Sequence, residues 1–404
     1  LAGALEGIKV VELGHWLVGP YCANMLSDLG AEVTKIEPLT GDQVRKAGSK
    51  FKNGESYMFG AYNHGKKSIS LNMKCSEGLR IAMELCADAD IIVENYRPGT
   101  CDRLGVGYEQ VKKVNPRIVY CSISAFGESN AYAHRPGMDP IIQGMGAVMS
   151  LTGEVGGDPL LVGVPIADIT TAYMAFGAIC AALYARERSG MGDHIHVSMI
   201  ETMVFNLSTR FGQYLATGTS PIAMGNQHAE VVPYQAFRTK DGWLMAGAQS
   251  NEAWISFCNA IDRSDLTQNT EYATNSQRVL HRDQLSRELN SVFCTRSTEE
   301  WCTILSKKNI LHGPIYDVKT LVESDLIRGQ GLITTVKHEA FGDLPVVRTP
   351  LKFSRTSVRV QGPPPFLGEH TVEILQKLGY SEGVITRLIK EGIIRTSTPG
   401  DRRL

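Results

Sequence analysis

The chain has 404 residues, 43% of them hydrophobic and 21% charged, with a net charge of −1. This composition suits a globular protein of two structural units or one large one, because single cores stop growing beyond about 250–300 residues. It offers no bulk attraction for nucleic acid or an anionic membrane. Nine scattered cysteines without a C-x-x-C pair argue against a disulfide framework and against structural zinc. Residues 1–7 lack a charged segment followed by an apolar one, so no secretory signal is expected. The first residue is Leu1, which leaves a processed leader open. The expected compartment is the cytoplasm, or the mitochondrial matrix if a leader has been removed.

Residues 8–13 (IKVVEL) read as a buried strand. A helix starts near Pro20, a good first-turn residue, and ends near Gly30. Residues 31–37 and 67–71 are further strands. In 76–87 the apolar positions Leu79, Ile81, Ala82, Met83, Leu85 and Cys86 predict a helix packed on a sheet. Strands at 91–94 and 117–124 continue the alternation, which predicts an α/β fold with a mostly parallel, doubly wound sheet. A Gly- and Met-rich helix follows at 139–150, a longer one at 169–188 and a strand at 194–199. From about Gln213 to Leu326 the character changes. Three of the four Trp residues fall there, near a hairpin signal with Lys240-Asp241-Gly242 as its turn. The expected division is a large Rossmann-like domain over 1–203, rejoined by 333–404, and a smaller α+β domain over 204–332. A final helix is expected near 371–378.

After the first strand the chain reads Gly14-His15-Trp16-Leu17-Val18-Gly19-Pro20. This is neither G-x-G-x-x-G nor a P-loop, so a standard dinucleotide site is not expected. Loops after strands still form the ligand crevice of open α/β sheets. That makes His15, Asn95-Tyr96-Arg97 and residues 124–127 wall candidates. His194 and His196 share one face of a strand. A metal there needs a third ligand that the sequence does not offer, so structural roles and no metal are expected.

Residues 160–167 form an apolar run that meets one carboxylate, Asp168, before a long helix of small residues. Asp is a preferred N-cap, so capping without chemistry accounts for it locally. The functional alternative uses the same placement. A helix N-terminus holds a carboxylate ionised. Beside a thioester that carboxylate attacks the carbonyl and forms a mixed anhydride, which conserves the thioester's energy.

Seven segments in order bear on this choice: LEGIKVVELGHWLVGPYCANMLSDLGAEVTKIE, NHGKKSISLNMKCSEG, VENYRPGTCDRLGVGYE, GVPIADITTAYMAFGAICAALYARERSGMGDHIHVSM, VVPYQAFRTKDGW, HGPIYDV and PPPFLGEHTVEIL. With them the chain resembles the class III CoA-transferases over nearly its whole length. That group includes formyl-CoA:oxalate, carnitine and succinyl-CoA-dependent dicarboxylate CoA-transferases, and α-methylacyl-CoA racemase shares the fold. The resemblance implies that Asp168 is the nucleophile, forming an acyl anhydride and then an aspartyl-CoA thioester. It implies coenzyme A contacts at His15, Leu71, Lys74, Asn95, Tyr96 and Arg103. Lys74 and Arg103 would face the phosphates; solvated surface roles are their alternative. It implies coenzyme A esters as substrates, no tightly bound cofactor, and an interlocked homodimer or a hetero-oligomer with a homologue.

Departures from the family pattern narrow the reading. Pro38 stands where an arginine often stacks on adenine, and Leu17 where the oxalate enzymes have a glutamine. Met138 stands where many transferases have Tyr and the racemase its His base. A thioether cannot take an α-proton, which disfavours racemisation; a core role is the alternative for Met138. His228, Glu230 and Gly247 are candidates for a loop near the thioester. Oxyanion donors are expected near Gly247 or at the N–H groups of 169–170. The expected donor is succinyl-CoA and the acceptor a small dicarboxylate, with Arg45, Arg135 and Arg210 as candidates for its second carboxylate. Three readings stay open: the transferase, a CoA-ester racemase, and a non-catalytic CoA-binding subunit paired with an active homologue.

Overall fold

Short runs of β-branched residues build the central sheet. The computed structural model describes residues 1–48, 56–339 and 342–397. Its strands β1 (Lys9–Glu12), β2 (Glu32–Glu37), β3 (Lys67–Leu71), β4 (Ile91–Glu94), β5 (Val119–Ser124) and β6 (Asp193–Ser198) pair in parallel, in the order β3-β2-β1-β4-β5-β6. Residues Ile394–Arg395 add an antiparallel strand outside β3, so the C-terminal segment returns to this sheet.

Successive side chains of a strand point to opposite faces, and both faces here are covered. On one face Val10, Val33, Ile91 and Cys121 pack with α1 (Val18–Asp28) and the long helix Ile166–Ser189. On the other, Val11, Ile36, Ile69 and Ile92 pack with Ser76–Ala87 and Thr371–Lys377. Double burial is why these strands read as continuous apolar runs. The remaining helices that matter for the site are α2 (Tyr57–Tyr62), α3 (Ser76–Ala87), α4 (Thr100–Leu104), α5 (Tyr108–Val114), α6 (Asp139–Met145), α7 (Ile166–Ser189) and α8 (Met199–Thr217). By length and hydropathy α7 could cross a membrane. Its Ala172, Ala175, Ile179 and Ala182 instead fill the core beside α1, where small side chains permit close approach.

Packing divides the chain into two compact units. The first takes in Leu1–Val148, Leu161–Gly212 and Gln330–Leu404, and the second Met149–Leu160 and Gln213–Gly329. The division comes at 212/213 and 329/330, in place of the expected 203/204 and 332/333, and residues 149–160 join the second unit; the first boundary lies inside α8 in either case. In the second unit β7 (Tyr234–Arg238), β8 (Trp243–Gly247) and β9 (Leu311–Pro314) form an antiparallel sheet. Phe237, Phe257, Phe293 and Trp301 make its core.

Two helix boundaries differ from expectation. The helix expected over 139–150 ends at Met145, because Gly146 and Ala147 (φ 63°) leave the helical region. The helix expected from 169 starts at Ile166.

Beneath the C-terminal ends of β1 and β2 lies a buried set of charges. Lys35 Nζ donates to Glu12 Oε1 at 2.5 Å and to the Gly14 carbonyl at 2.8 Å, and lies 3.0 Å from Asp42. Lys66 Nζ lies 2.7 Å from Glu12 Oε2 and donates to the Pro20 carbonyl at 2.8 Å. Arg45 grips Glu37 through two hydrogen bonds of 2.8 and 2.7 Å. Burial pushes Glu37 up, but Arg45, Lys35 and Ser68 overrule it and hold the carboxyl at about 2. Burial pulls Lys66 down to about 8 against the attraction of Glu12. Three carboxylates thus face three cations.

Removing one member of a buried pair costs about 3–5 kcal/mol, because the other charge is stranded. Glu12→Gln leaves Lys35 and Lys66 facing each other, and a loss of that size is expected. Urea unfolding of the variant against the parent measures it; a loss below about 1 kcal/mol would show that the network contributes little.

Candidate active site

The strand order reverses between β1 and β4, and open α/β sheets bind ligands at such a reversal. Here the loops leaving the strands enclose a cavity of about 540 Å³. His15 and Leu17 come to it from the loop after β1, Pro38 and Asp42 from that after β2, and Asn95, Tyr96 and Arg97 from that after β4. Ser124, Arg135, Met138 and Asp168 also line it.

Asn95 joins two of these loops. Its Oδ1 accepts from the His15 N–H at 2.8 Å and its Nδ2 donates to the His15 carbonyl at 2.9 Å. A Cβ at Gly19 would come within 3.0 Å of Asn95 Oδ1, so only glycine lets the amide in. Trp16, between them, is held at φ 60°, a left-handed conformation costly for a bulky residue. Its N–H donates to Asp42 Oδ1 at 3.2 Å. The His15 ring stacks on Tyr96, with centroids 5.0 Å apart. Burial lowers the His15 pKa, partly offset by Asp42, which favours the neutral ring. Its Nδ1 is buried without a hydrogen-bond partner among the described residues.

Asp168 lines the same cavity but does not cap α7. It is the third residue of the helix, and the preceding Pro165 makes no side-chain cap. The cap comes from another helix. Asp139 Oδ1, from the start of α6, accepts from the N–H groups of Ala167 at 2.8 Å and Asp168 at 3.2 Å. Asp139 Oδ2 accepts from Gln143 Nε2 at 2.6 Å, and Gln143 Oε1 accepts from the Val162 N–H at 3.0 Å. Sequence reasoning passed over both residues. The signal was present as Asp139-Pro140, a helix start, with Gln143 one turn on.

The expectation that the helix end keeps Asp168 anionic is also reversed. Burial pushes its pKa from 3.8 to about 7, and the charge of Asp139 adds to the shift. A helix N-terminus returns about 0.3–1 kcal/mol, and at most ~2. At 1.36 kcal/mol per pKa unit that offsets about one and a half units at best. Asp139 already occupies the N–H groups that would supply it.

The other expected residues divide clearly. Leu71 is 1% exposed, with its side chain in the core of the sheet. Lys74 is exposed after β3, and Arg103 is exposed on α4, donating to Thr100 Oγ1 at 2.9 Å. None of these three lines the cavity. Arg45 is committed to Glu37 and lies over the Phe59 ring, 3.6 Å from its centroid, which removes it as a substrate ligand. Arg210 lies on α8 and is not on the wall, whereas Arg135 is. Met138 is 48% exposed at the cavity and is no core residue. The Ile169 N–H bonds to the Pro165 carbonyl inside the helix, so the expected oxyanion donor at 169 is already used. His228 and Gly247 belong to the second unit. His228 Nδ1 accepts from the Glu230 and Val231 N–H groups, and a Cβ at Gly247 would press on Tyr234 at 2.8 Å. His194 and His196 sit with centroids 3.9 Å apart, hydrogen-bonded to Ser122 and paired with Glu128 respectively. No group of three metal-ligating side chains occurs among the described residues.

Residues 5–371 match the family model described as CoA-transferase family III. The chain is 37% identical over 392 residues to a succinyl-CoA:glutarate CoA-transferase from Mus musculus, covering 96% of this chain and 90% of that protein. It is 33% identical to a succinate–glutarate CoA-transferase from Agrobacterium fabrum, covering 98% of each. The crystal structure of a CaiB/BaiF family protein from Brucella suis superposes with a TM-score of 0.84 at 34% identity, over 94% of this chain and all of that one.

A carboxyl whose folded pKa is raised contributes stability that is whole only below the unfolded value, 3.8 here, and is lost as pH rises from there through the folded value, about 7. Asp168→Asn is therefore expected to raise the melting temperature at pH 8.5 and to raise it less at pH 5. Thermal unfolding at both values checks this. An equal change at both would mean that Asp168 is not held protonated.

Proposed function

The chain belongs to CoA-transferase family III, and on that premise we propose that it moves coenzyme A from succinyl-CoA to a small dicarboxylate through covalent intermediates on Asp168. The observation that carries the reading is the contrast among the carboxylates on the cavity wall. Glu37 is gripped by Arg45 and Asp42 lies against Lys35. Asp168 shares the wall with no such cation bound to it among the described residues, and its proton affinity is raised. A carboxylate already neutralised by a cation is a poor nucleophile; a basic one is a better one.

The steps balance without water. Asp168 attacks the succinyl-CoA carbonyl, the C–S bond breaks, and coenzyme A leaves as thiolate. The thiolate attacks the aspartyl carbonyl of the mixed anhydride and expels succinate, which leaves an aspartyl-CoA thioester. The acceptor carboxylate enters and displaces the thiolate, forming a second anhydride. The thiolate then attacks the acceptor's carbonyl, which releases the new thioester and Asp168. Water would hydrolyse either anhydride, so recessing Asp168 in the wall serves the chemistry.

His15, Asn95 and Tyr96 are read as holding the coenzyme A ester near Asp168, and Lys74 and Arg103 as meeting its phosphates outside the cavity. Arg135 is the cation read as binding the far carboxylate of donor and acceptor. The two relatives named above make a five-carbon dicarboxylate the first acceptor to try. Exposed apolar side chains on α7 and α8, including Tyr184 and Phe205, suit the homodimer expected from the family.

The test is turnover of succinyl-CoA with a panel of carboxylic acids, read by mass spectrometry, with borohydride reduction and peptide mapping of the adduct. Label on Asp168, and loss of both label and turnover in Asp168→Asn, are expected. Full turnover in that variant would end the proposal. A charged hydrogen bond is worth about 1.5–3 kcal/mol, so Arg135→Ala is expected to lower kcat/KM for dicarboxylates by about 10- to 150-fold and to spare monocarboxylates.

A further inference from the structure

The reading of Asp168 as nucleophile leaves open what sets its reactivity, and a second carboxylate stands against it. Asp139 is 7% exposed and Gln143 only 1%. The first N–H groups of a helix have no partner within the helix and stabilise whatever anion reaches them. Asp168, in the first turn of α7, is an anion placed to benefit. It does not, because Asp139 takes the N–H groups of Ala167 and Asp168 from outside the helix. Gln143 holds Asp139 in that position, and its other end holds Val162 on the approach to α7. We infer that Asp139, oriented by Gln143, is a positioning residue for the transferase reaction: it fixes the start of α7 and, by occupying its N–H groups with its own charge, keeps Asp168 a basic carboxylate.

The inference rests on the proposed role of Asp168, and the chemistry gives it a purpose. A weakly basic carboxylate would be fully ionised but would attack a thioester slowly. A strongly basic one would attack well but be ionised in few molecules. Proton affinity near the working pH balances the two. Burial supplies most of the upward shift at Asp168, and Asp139 is the one charge that adds to it. The other titratable groups around Asp168 are Tyr62 on α2 and His15, Glu37, Asp42, Tyr96, Arg97 and Arg135 on the cavity walls. Burial raises the pKa of Tyr62 and Tyr96 and lowers that of His15. Glu37 and Asp42 are matched by Arg45 and Lys35.

Asp139→Asn separates charge from geometry, because the amide keeps an oxygen to accept the two N–H groups and loses the negative charge. The readout is the carboxyl carbon resonance of Asp168 in full-length protein labelled with 13C-aspartate, identified by its absence in Asp168→Asn. In Asp139→Asn its titration midpoint is expected to fall by about one pH unit, as removal of an adjacent like charge requires. The acid limb of kcat/KM should move down by the same amount, and kcat above pH 8 should fall. Asp139→Ser, another uncharged cap former, carries the same expectation if the asparagine variant folds poorly. A resonance that titrates at the parent value in a variant with parental melting temperature would overturn the inference. The titration requires no turnover, so this failure is distinct from that of the nucleophile assignment, which an active Asp168→Asn enzyme would reveal.

Discussion

Lys35 holds the ligand-binding end of the sheet together. It sits on β2 with no exposed surface, and its ammonium meets Glu12, the Gly14 carbonyl and Asp42. Those contacts reach the end of β1, the loop that begins with Gly14 and the loop after β2. Lys66 extends the set to Pro20 at the start of α1. A buried ion is tolerated only where partners replace its lost hydration. The loops must therefore keep the shape that provides those partners. Trp16 keeps its left-handed backbone and Asn95 its grip on His15 because the surroundings leave them no cheaper arrangement.

The same reasoning explains which features could be read from the sequence. Strands β3 and β4 and helix α3 fall where the residue pattern puts them, because each is defined by its own side chains and by burial on both sides. The start of α7 could not be read that way. Its cap lies 28 residues upstream, on a different helix. Local sequence offered Asp168 as the cap because nothing nearer was suitable, and the assignment failed for a non-local reason. The arginines show the same limit. Arg45, Arg135 and Arg210 were equivalent as cations in a list. Folding gave Arg45 to Glu37 and put Arg135 on the wall. Met138, equally suited by type to a core, is held at the cavity by its place as the residue leading into α6.

Family membership and geometry contribute different things to the functional reading. The comparisons identify a CoA-transferase. They do not say why one carboxylate out of many would react. The structure supplies a physical difference: the acids beside Asp168 are neutralised by cations, and Asp168 is crowded by another acid. A helix terminus that would ordinarily quiet a carboxylate is blocked by Asp139. On the proposed reading, reactivity comes from withholding stabilisation and not from adding a partner.

The depressed basicity of His15 and the raised proton affinity of Asp168 also act together on the arriving ligand. Each shift moves its group toward the uncharged form near neutral pH. On the proposed reading a polyanionic ester meets less repulsion from Asp168 when that carboxyl is protonated, whereas attack requires its ionised form. Entry and reaction would then draw on opposite protonation states of one side chain.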